Sequence, residues 1–263
     1  MMYSNPAAYE RFMGRWSARL APLFIRFACV EDGHRILDVG CGTGSLGRAL
    51  LAWGNTIDVL GVDPVADYVL FAQQAIPHSR AQFQLGAAEA LSFSDGAFDG
   101  ALGLLLLQDI ADPKRVVREM VRVTRRGGLV AACQWDFQDG LPMMSLFWQA
   151  AEAVAPEAVA CHRGHGAPKR VNDKDLGELW ISCGLWKVRT TSLELTMEFS
   201  SFDDFWLPFL GGATPTSAFA ATLNRETGGT VAEVLRDKMP TLRRDGSFAL
   251  PARAWAVAGI ASH

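Results

Sequence analysis

The chain has 263 residues, 49% of them apolar, with 28 acidic against 25 basic side chains for a formal charge of −3. That is enough to bury a full core, and the basic residues are spread without the stripe or tail that nucleic-acid phosphates require. Five scattered cysteines do not resemble a disulfide framework, and the longest apolar run, Ala101 to Leu107, is too short to cross a bilayer. The opening MMYSNPAAYERFMGRWS lacks the apolar stretch of a signal peptide, so a cytoplasmic protein with reduced thiols and no membrane insertion is expected.

In chain order, short apolar runs alternate with helical periodicity from about residue 35 to 135, the pattern of βαβ units in a parallel sheet. A strand over Arg35–Val39 leads into Gly40-Cys41-Gly42-Thr43-Gly44. A helix then runs from Ser45 to a left-handed cap at Gly54, and a second strand, Ile57 to Val62, ends on Asp63. Asp112-Pro113 opens a helix whose apolar face is Val116, Val117, Met120 and Val121, closed by Gly127-Gly128. The flanking runs, Asp99 to Leu107 and Leu129 to Trp135, are apolar without alternation and read as central strands.

Beyond Trp135 the pattern changes to a helix over Pro142 to Ala155, a polar loop from Ala160 to Asn172, and a helix capped by Asp173 and closed by Gly184. Leu193, Leu195, Met197 and Phe199 alternate with polar residues, predicting a strand antiparallel to a final one near Ala252 to Ile260. The mostly helical segment between them, about fifty residues, is far longer than a hairpin turn and reads as a substrate cap. The expected organisation is a helical leader over 1–34, a core over 35–199, a cap over 200–246 and a last strand over 247–263.

The glycine turn carries the functional argument. Its G-x-G-x-G spacing differs from the G-x-G-x-x-G that cradles a dinucleotide pyrophosphate, and no Lys follows as a phosphate-binding loop requires. Asp63, about twenty residues further on at the end of the second strand, is placed to take the hydroxyls of a ribose. A ligand with a ribose and no phosphate, an adenosine, is implied.

Ile36-Leu37-Asp38-Val39-Gly40-Cys41-Gly42-Thr43-Gly44 resembles the first motif of class I S-adenosylmethionine-dependent methyltransferases. Leu60-Gly61-Val62-Asp63 resembles the second motif, and Gly86-Ala87-Ala88-Glu89-Ala90-Leu91 with Phe98-Asp99 the third region. Arg118-Glu119-Met120 through Arg126-Gly127-Gly128 resembles the helix and turn before the fifth strand. The opening Tyr9 to Trp16 is similar to the leader of bacterial members in the group that includes quinone-biosynthesis methyltransferases.

The resemblance implies a doubly wound seven-stranded α/β sheet, mostly parallel with an antiparallel last strand. It also implies S-adenosylmethionine as cofactor, S-adenosylhomocysteine as product, and no metal. Asp38, Gly40, Cys41 and Gly42 would face the methionine end, Asp63 with Pro64 the ribose, and Ala87 and Ala88 the adenine; Gly103, Leu104 and Arg15 complete the cofactor set. Family members often carry an acid where Ala87 stands, and a histidine or asparagine pair where this chain has Gln108-Asp109.

Methyl transfer needs a positioned nucleophile and little water, and a base only for some acceptors. Gln108 and Asp109, and also Asp136, stand at strand ends where such a base would sit. Tyr9 and Trp16 are candidates to cover the site, and Trp135, Trp148 and Trp206 to line an apolar acceptor pocket. Cys161, His162 and His165 read as a polar surface loop, since a zinc site needs four ligands. The expected activity is methylation of a small or medium-sized molecule by a monomer or homodimer. The alternatives are a binding protein that keeps the fold without transfer, and a nicotinamide-dependent oxidoreductase.

Overall fold

The computed structural model describes residues 5–163 and 171–262. The chain starts with α1 (Pro6–Tyr9), capped by the Asn5 side chain, passes a π-helical turn over Glu10–Gly14, and continues as α2 (Arg15–Ala28). Trp16, Leu20, Phe24 and Ala28 recur at helical spacing on the buried face of α2, which is what fastens this leader to the sheet.

The elements that follow are β1 (Arg35–Val39), α3 (Ser45–Trp53), β2 (Asp58–Asp63), α4 (Ala66–Ala75), β3 (Ala81–Leu85), β4 (Phe98–Leu104), α5 (Pro113–Val123) and β5 (Thr124–Trp135). Then come α6 (Pro142–Val154), α7 (Pro156–Arg163), α8 (Asp173–Ser182), β6 (Trp186–Phe199), α9 (Phe202–Trp206), α10 (Pro215–Thr222), α11 (Arg225–Asp237) and β7 (Phe248–Ile260). The strands form one seven-stranded sheet in the order β3-β2-β1-β4-β5-β7-β6, parallel through β5, with β7 antiparallel to both β5 and β6. The order reverses between β1 and β4, and in open α/β sheets ligands bind beyond the carboxyl ends of the strands at such a point. Hydrophobic layers fill both faces: α2, α6 and the helices after β6 on one, α5 and α8 on the other.

Several local expectations are corrected by competing interactions. Gly54 ends α3 in an extended conformation (φ −137°), with no room for a Cβ beside Asp32 and Ile57, where a left-handed cap was expected. Helix α5 stops at Val123, not at Gly127-Gly128. Thr124 turns its hydroxyl back to the Met120 carbonyl and begins pairing with Phe98, so β5 already contains both glycines. Asn172, not Asp173, caps α8, in a reciprocal box with Asp175. The run Leu104 to Leu107 is not all strand: β4 ends at Leu104, Leu105 takes φ +61°, and a 3-10 turn follows over Leu107–Asp109. The segment expected as a loop from Ala160 begins inside α7, and residues 164–170 lie outside the described residues.

Asp136, at the end of β5, caps the turn after it by accepting from the Gln138 and Asp139 amides at 3.0 and 3.2 Å, and pairs with Arg253 of β7 at 2.6 Å. Burial alone would raise its pKa, but the Arg253 and amide hydrogen bonds outweigh this and hold the carboxyl below the usual range. A group whose pKa is depressed by folding adds stability that is lost as pH falls through its folded value. Arg253→Met is therefore expected to cost about 1.5–3 kcal/mol at pH 7, and distinctly less near pH 3, in paired urea titrations.

Candidate functional site

The turn between β1 and α3 is held open by three left-handed glycines, Gly40 (φ +70°), Gly42 (φ +52°) and Gly44 (φ +90°). The amides of Gly40 and Cys41 both donate to the Val62 carbonyl, at 2.8 and 3.0 Å, which binds the turn to the end of β2. A Cβ on Gly44 would lie 2.6 Å from Ile76, and one on Gly40 equally close to Leu106, whereas Gly42 has free space except for Tyr68 at 3.9 Å. Gly44→Ala is expected to lower stability by about 1–3 kcal/mol, seen as a shifted denaturation midpoint, with Gly42→Ala costing less.

Asp63 is buried at the end of β2 and is already engaged: Oδ2 accepts from the Gly42 amide at 3.0 Å and Oδ1 from the Val65 amide at 2.9 Å, just ahead of α4. Burial raises its pKa, with the two amides opposing. Asp38 is fully buried, and burial together with the charge of nearby Asp63 pushes its carboxyl up to about 8. The Gly47 amide in the first turn of α3 opposes that shift, but neither Asp38 oxygen makes a hydrogen bond of good geometry within the protein. Burial also pushes the Cys41 thiol well up, so it is not a nucleophile at neutral pH.

A cavity of about 730 Å³ opens beside this turn. A smaller hollow of about 30 Å³, walled by Asp38, Cys41, Thr43 and Ser17, adjoins it, with Tyr9, Gly40, Gly42 and Leu104 common to both. Of the residues singled out from sequence, Tyr9, Gly40, Gly42, Asp63, Pro64 and Ala88 line the large cavity, as do Leu104, Gln108 and two tryptophans, Trp135 and Trp148.

Others are placed elsewhere. Arg15 forms an ion pair with Asp204 at 2.7 Å and lies over the rings of Trp16 and Phe199, while Trp16 itself is packed edge-on to Phe199. Trp206 is in the aromatic core with Phe147 and Phe209. Large rings bury best where helical layers meet, and Asp204 supplies Arg15 with a partner that sequence alone did not reveal. Gly103 is interior to β4 beneath Leu106, Ala87 bridges to Ala90, and Asp136 serves Arg253; none of the three lines either cavity. The side chain of Asp109 lies outside the described residues, as does His165.

Sequence reading missed most of the far wall. Tyr68 of α4 meets Tyr9 ring to ring at 5.5 Å across the mouth of the turn. Met144, Ser145, Trp148, Gln149 and Glu152 form one stripe of α6 along the cavity, at offsets of one, four, five and eight residues from Met144. That helical spacing was visible in the sequence, but the opposite, more apolar face of α6 masks it. His162 is not on a surface loop; it is in α7, stacked on Trp148 at 5.2 Å. Among the described residues no three His, Cys, Asp or Glu side chains converge as a metal site, and no helix is long and apolar enough to cross a membrane.

With this geometry in hand, the comparisons with known proteins agree on a class. Residues 37–132 match the family described as a methyltransferase domain. The chain is similar to a malonyl-[acyl-carrier protein] O-methyltransferase of Erwinia billingiae, 32% identical over 59% of this chain and 57% of that protein. It is also similar to a 2-methyl-6-phytyl-1,4-hydroquinone methyltransferase of Synechocystis, 31% identical over 46% of this chain and 38% of the relative. The matches thus span about half the length of these relatives or less.

Among solved structures, the fold matches the YcgJ protein of Bacillus subtilis (TM-score 0.59, 19% identity, 93% of this chain and 99% of that one). It also matches Haemonchus contortus phosphoethanolamine N-methyltransferase 2 in complex with S-adenosyl-L-methionine (TM-score 0.61, 17% identity, 98% of this chain and 57% of that one). Residues 37–132 are thus similar to a methyltransferase domain, and the chain as a whole shares its fold with these structures.

Proposed function

We propose that the protein transfers a methyl group from S-adenosylmethionine to a small or medium-sized molecule bound in the same cavity. The observation that carries this reading is the pairing of the left-handed glycine turn with two buried carboxylates at the point where the strand order reverses. The residues suit the cofactor on their own chemistry. Asp38, a buried carboxyl with no well-formed hydrogen bond, borders a hollow of about 30 Å³, room for an ammonium group or a water. Gly40 and Gly42 leave the backbone bare where the methionine portion would pass, and Asp63 has lone pairs to spare for ribose hydroxyls. Pro64 and Ala88, with Tyr68 and Ile110 beside them, offer an apolar slot for a purine.

When bound, the cofactor supplies an electrophilic methyl carbon on a sulfonium. This chain's task is then to hold the acceptor atom in line with the breaking carbon–sulfur bond at about 3 Å, and to keep water out. The acceptor's lone pair forms the new bond, the old pair stays on sulfur, and the acceptor's proton leaves to solvent. A cavity of about 730 Å³ lies within the range of small-molecule sites, roughly 300–1,000 Å³, and at its upper part, as two ligands side by side require.

In this reading residues 1–34 close the cofactor end, 200–246 form the acceptor cap and 247–263 complete the core. The five free thiols suit a reducing compartment. Calorimetric titration with S-adenosylmethionine and S-adenosylhomocysteine tests the proposal: micromolar binding of both is expected, and binding of neither overturns it.

A further inference from the structure

Beyond the glycine turn the cavity continues between the ends of β4 and β5, helix α6 and the start of α10. Its wall there carries rings, Trp135, Phe137 and Trp148, and neutral amides, Gln108, Gln138 and Gln149, with Glu152 of α6 and His162 of α7 further along the same side; among the described residues no Lys or Arg lines it. Two polar atoms of this wall, the indole Nε1–H of Trp135 and Oε1 of Gln108, are shut away from solvent and hydrogen-bonded to nothing in the protein.

Buried polar atoms are nearly always satisfied, and an exception calls for an explanation. Elsewhere the same chain does satisfy its indoles: Trp180 donates to the Val130 carbonyl at 3.0 Å and Trp53 to Val30 at 3.1 Å. Among the described residues Trp16 is the other indole whose Nε1–H is both shut from solvent and unpaired, but it lines neither cavity. Trp135 and Gln108 stand at the ends of paired neighbouring strands, two residues beyond Cys133 and four beyond its register partner Leu104. The cavity both residues border is where a partner can enter.

We infer that this donor and this acceptor are a positioning pair for the methyl acceptor, and that they select an uncharged hydroxyl on a planar aromatic molecule; the inference rests on the methyltransferase reading above. A hydroxyl accepts from the Trp135 N–H with a lone pair and donates its proton to Gln108 Oε1, satisfying both atoms at once. A carboxylate would set its oxygens against Gln108 Oε1, acceptor to acceptor. An ammonium has no lone pair for the Trp135 N–H, and its charge would draw it along α6 towards Glu152 instead. Phe137 and Trp148, the latter backed by His162 stacked on its ring, line the space for an apolar body.

The test uses four molecules of one shape: 2-naphthol, naphthalene, 2-naphthoate and 2-naphthylmethylammonium. Their affinities are read by ligand-observed NMR on the whole protein, with and without saturating S-adenosylhomocysteine. The expected result is 2-naphthol at least about tenfold tighter than the other three, because a site that hydrogen-bonds a hydroxyl rejects analogues without one. Trp135→Phe and Gln108→Met should each erase most of that preference, read as the ratio of 2-naphthol to naphthalene affinity in the same variant. Gln108→Met should also leave the melting temperature unlowered, since the free protein loses no hydrogen bond at Oε1.

Equal binding of 2-naphthoate, no binding of 2-naphthol, or variants that keep the preference would each overturn the inference. Failure of S-adenosylhomocysteine to bind is a separate result against the methyltransferase reading, and the naphthalene series without it still reads the pair.

Discussion

Asp63→Asn is expected to weaken S-adenosylmethionine binding by roughly 10- to 150-fold, the equivalent of about 1.5–3 kcal/mol for a hydrogen bond to a charged group. Alanine would be a poorer probe, because Asp63 already holds the amides of Gly42 and Val65, and removing both acceptors loosens the turn itself. Asparagine keeps the size and one acceptor and loses the charge. Its effect on the turn is measured in parallel by thermal melting, where about 1 kcal/mol corresponds to roughly 2–4 °C in a chain of this size. An affinity loss much larger than the melting shift accounts for assigns the carboxylate to the ligand. Unchanged affinity with a lowered melting temperature would show that Asp63 serves the turn alone.

The second large effect is a proton released on binding. With its carboxyl pushed up to about 8 by burial and by Asp63, Asp38 is mostly protonated at pH 7 in the free protein. A ligand ammonium in the adjoining hollow would favour the ionised form. Affinity should therefore rise with pH from 6 towards 8, by up to about tenfold per unit, and then level off as an amino group of ordinary pKa, about 7.7–8.0, loses its own proton. Calorimetry at pH 7 in two buffers of different ionisation enthalpy should find close to one proton released.

The free protein should show the opposite slope. A carboxyl whose pKa rises on folding binds more protons when folded, so this group's contribution to stability falls as pH climbs from about 4 to about 8. Asp38→Asn should abolish both dependences and weaken binding. Proton release that persists in that variant would show that another group is responsible.

The parts of this fold that were legible in the sequence are those decided locally. The strand Arg35–Val39, the cap and proline opening α5, and the antiparallel strands after residue 185 follow from period, cap and apolar run. β3 was not foreseen: Ala81–Leu85 is an edge strand with only Phe83 buried, so it has no apolar run to announce it. The ends of β4 and α5 were set by partners distant in sequence, such as Phe98 pairing with Thr124.

The same division holds at the site. The glycine turn and Asp63 are close in sequence, joined by one βαβ unit, and could be read together. The far wall is assembled from α4, α6, α7 and α10, and nothing in a linear pattern tells Trp148, which lines the cavity, from Trp206, which is in the core. Arg15 was assigned to the ligand because Asp204, its actual partner, is 189 residues away.

The place of β7 has a consequence for the order in which the sheet forms. It is the last strand in the chain, yet it lies between β5 and β6, paired with both. The five parallel strands can assemble from neighbouring segments as they are made, but β6 has no edge to join until β7 arrives and supplies one. Joining β7 to β5 closes a loop of more than a hundred residues, from Trp135 to Phe248, an entropic cost met before any of its pairs form. Synthesis thus yields first a five-stranded half with an open edge at β5 and then, in one late step, the complete sheet. Until that step, the β5 edge can pair with other chains, and aggregation of nascent protein should depend on how quickly the final strand docks.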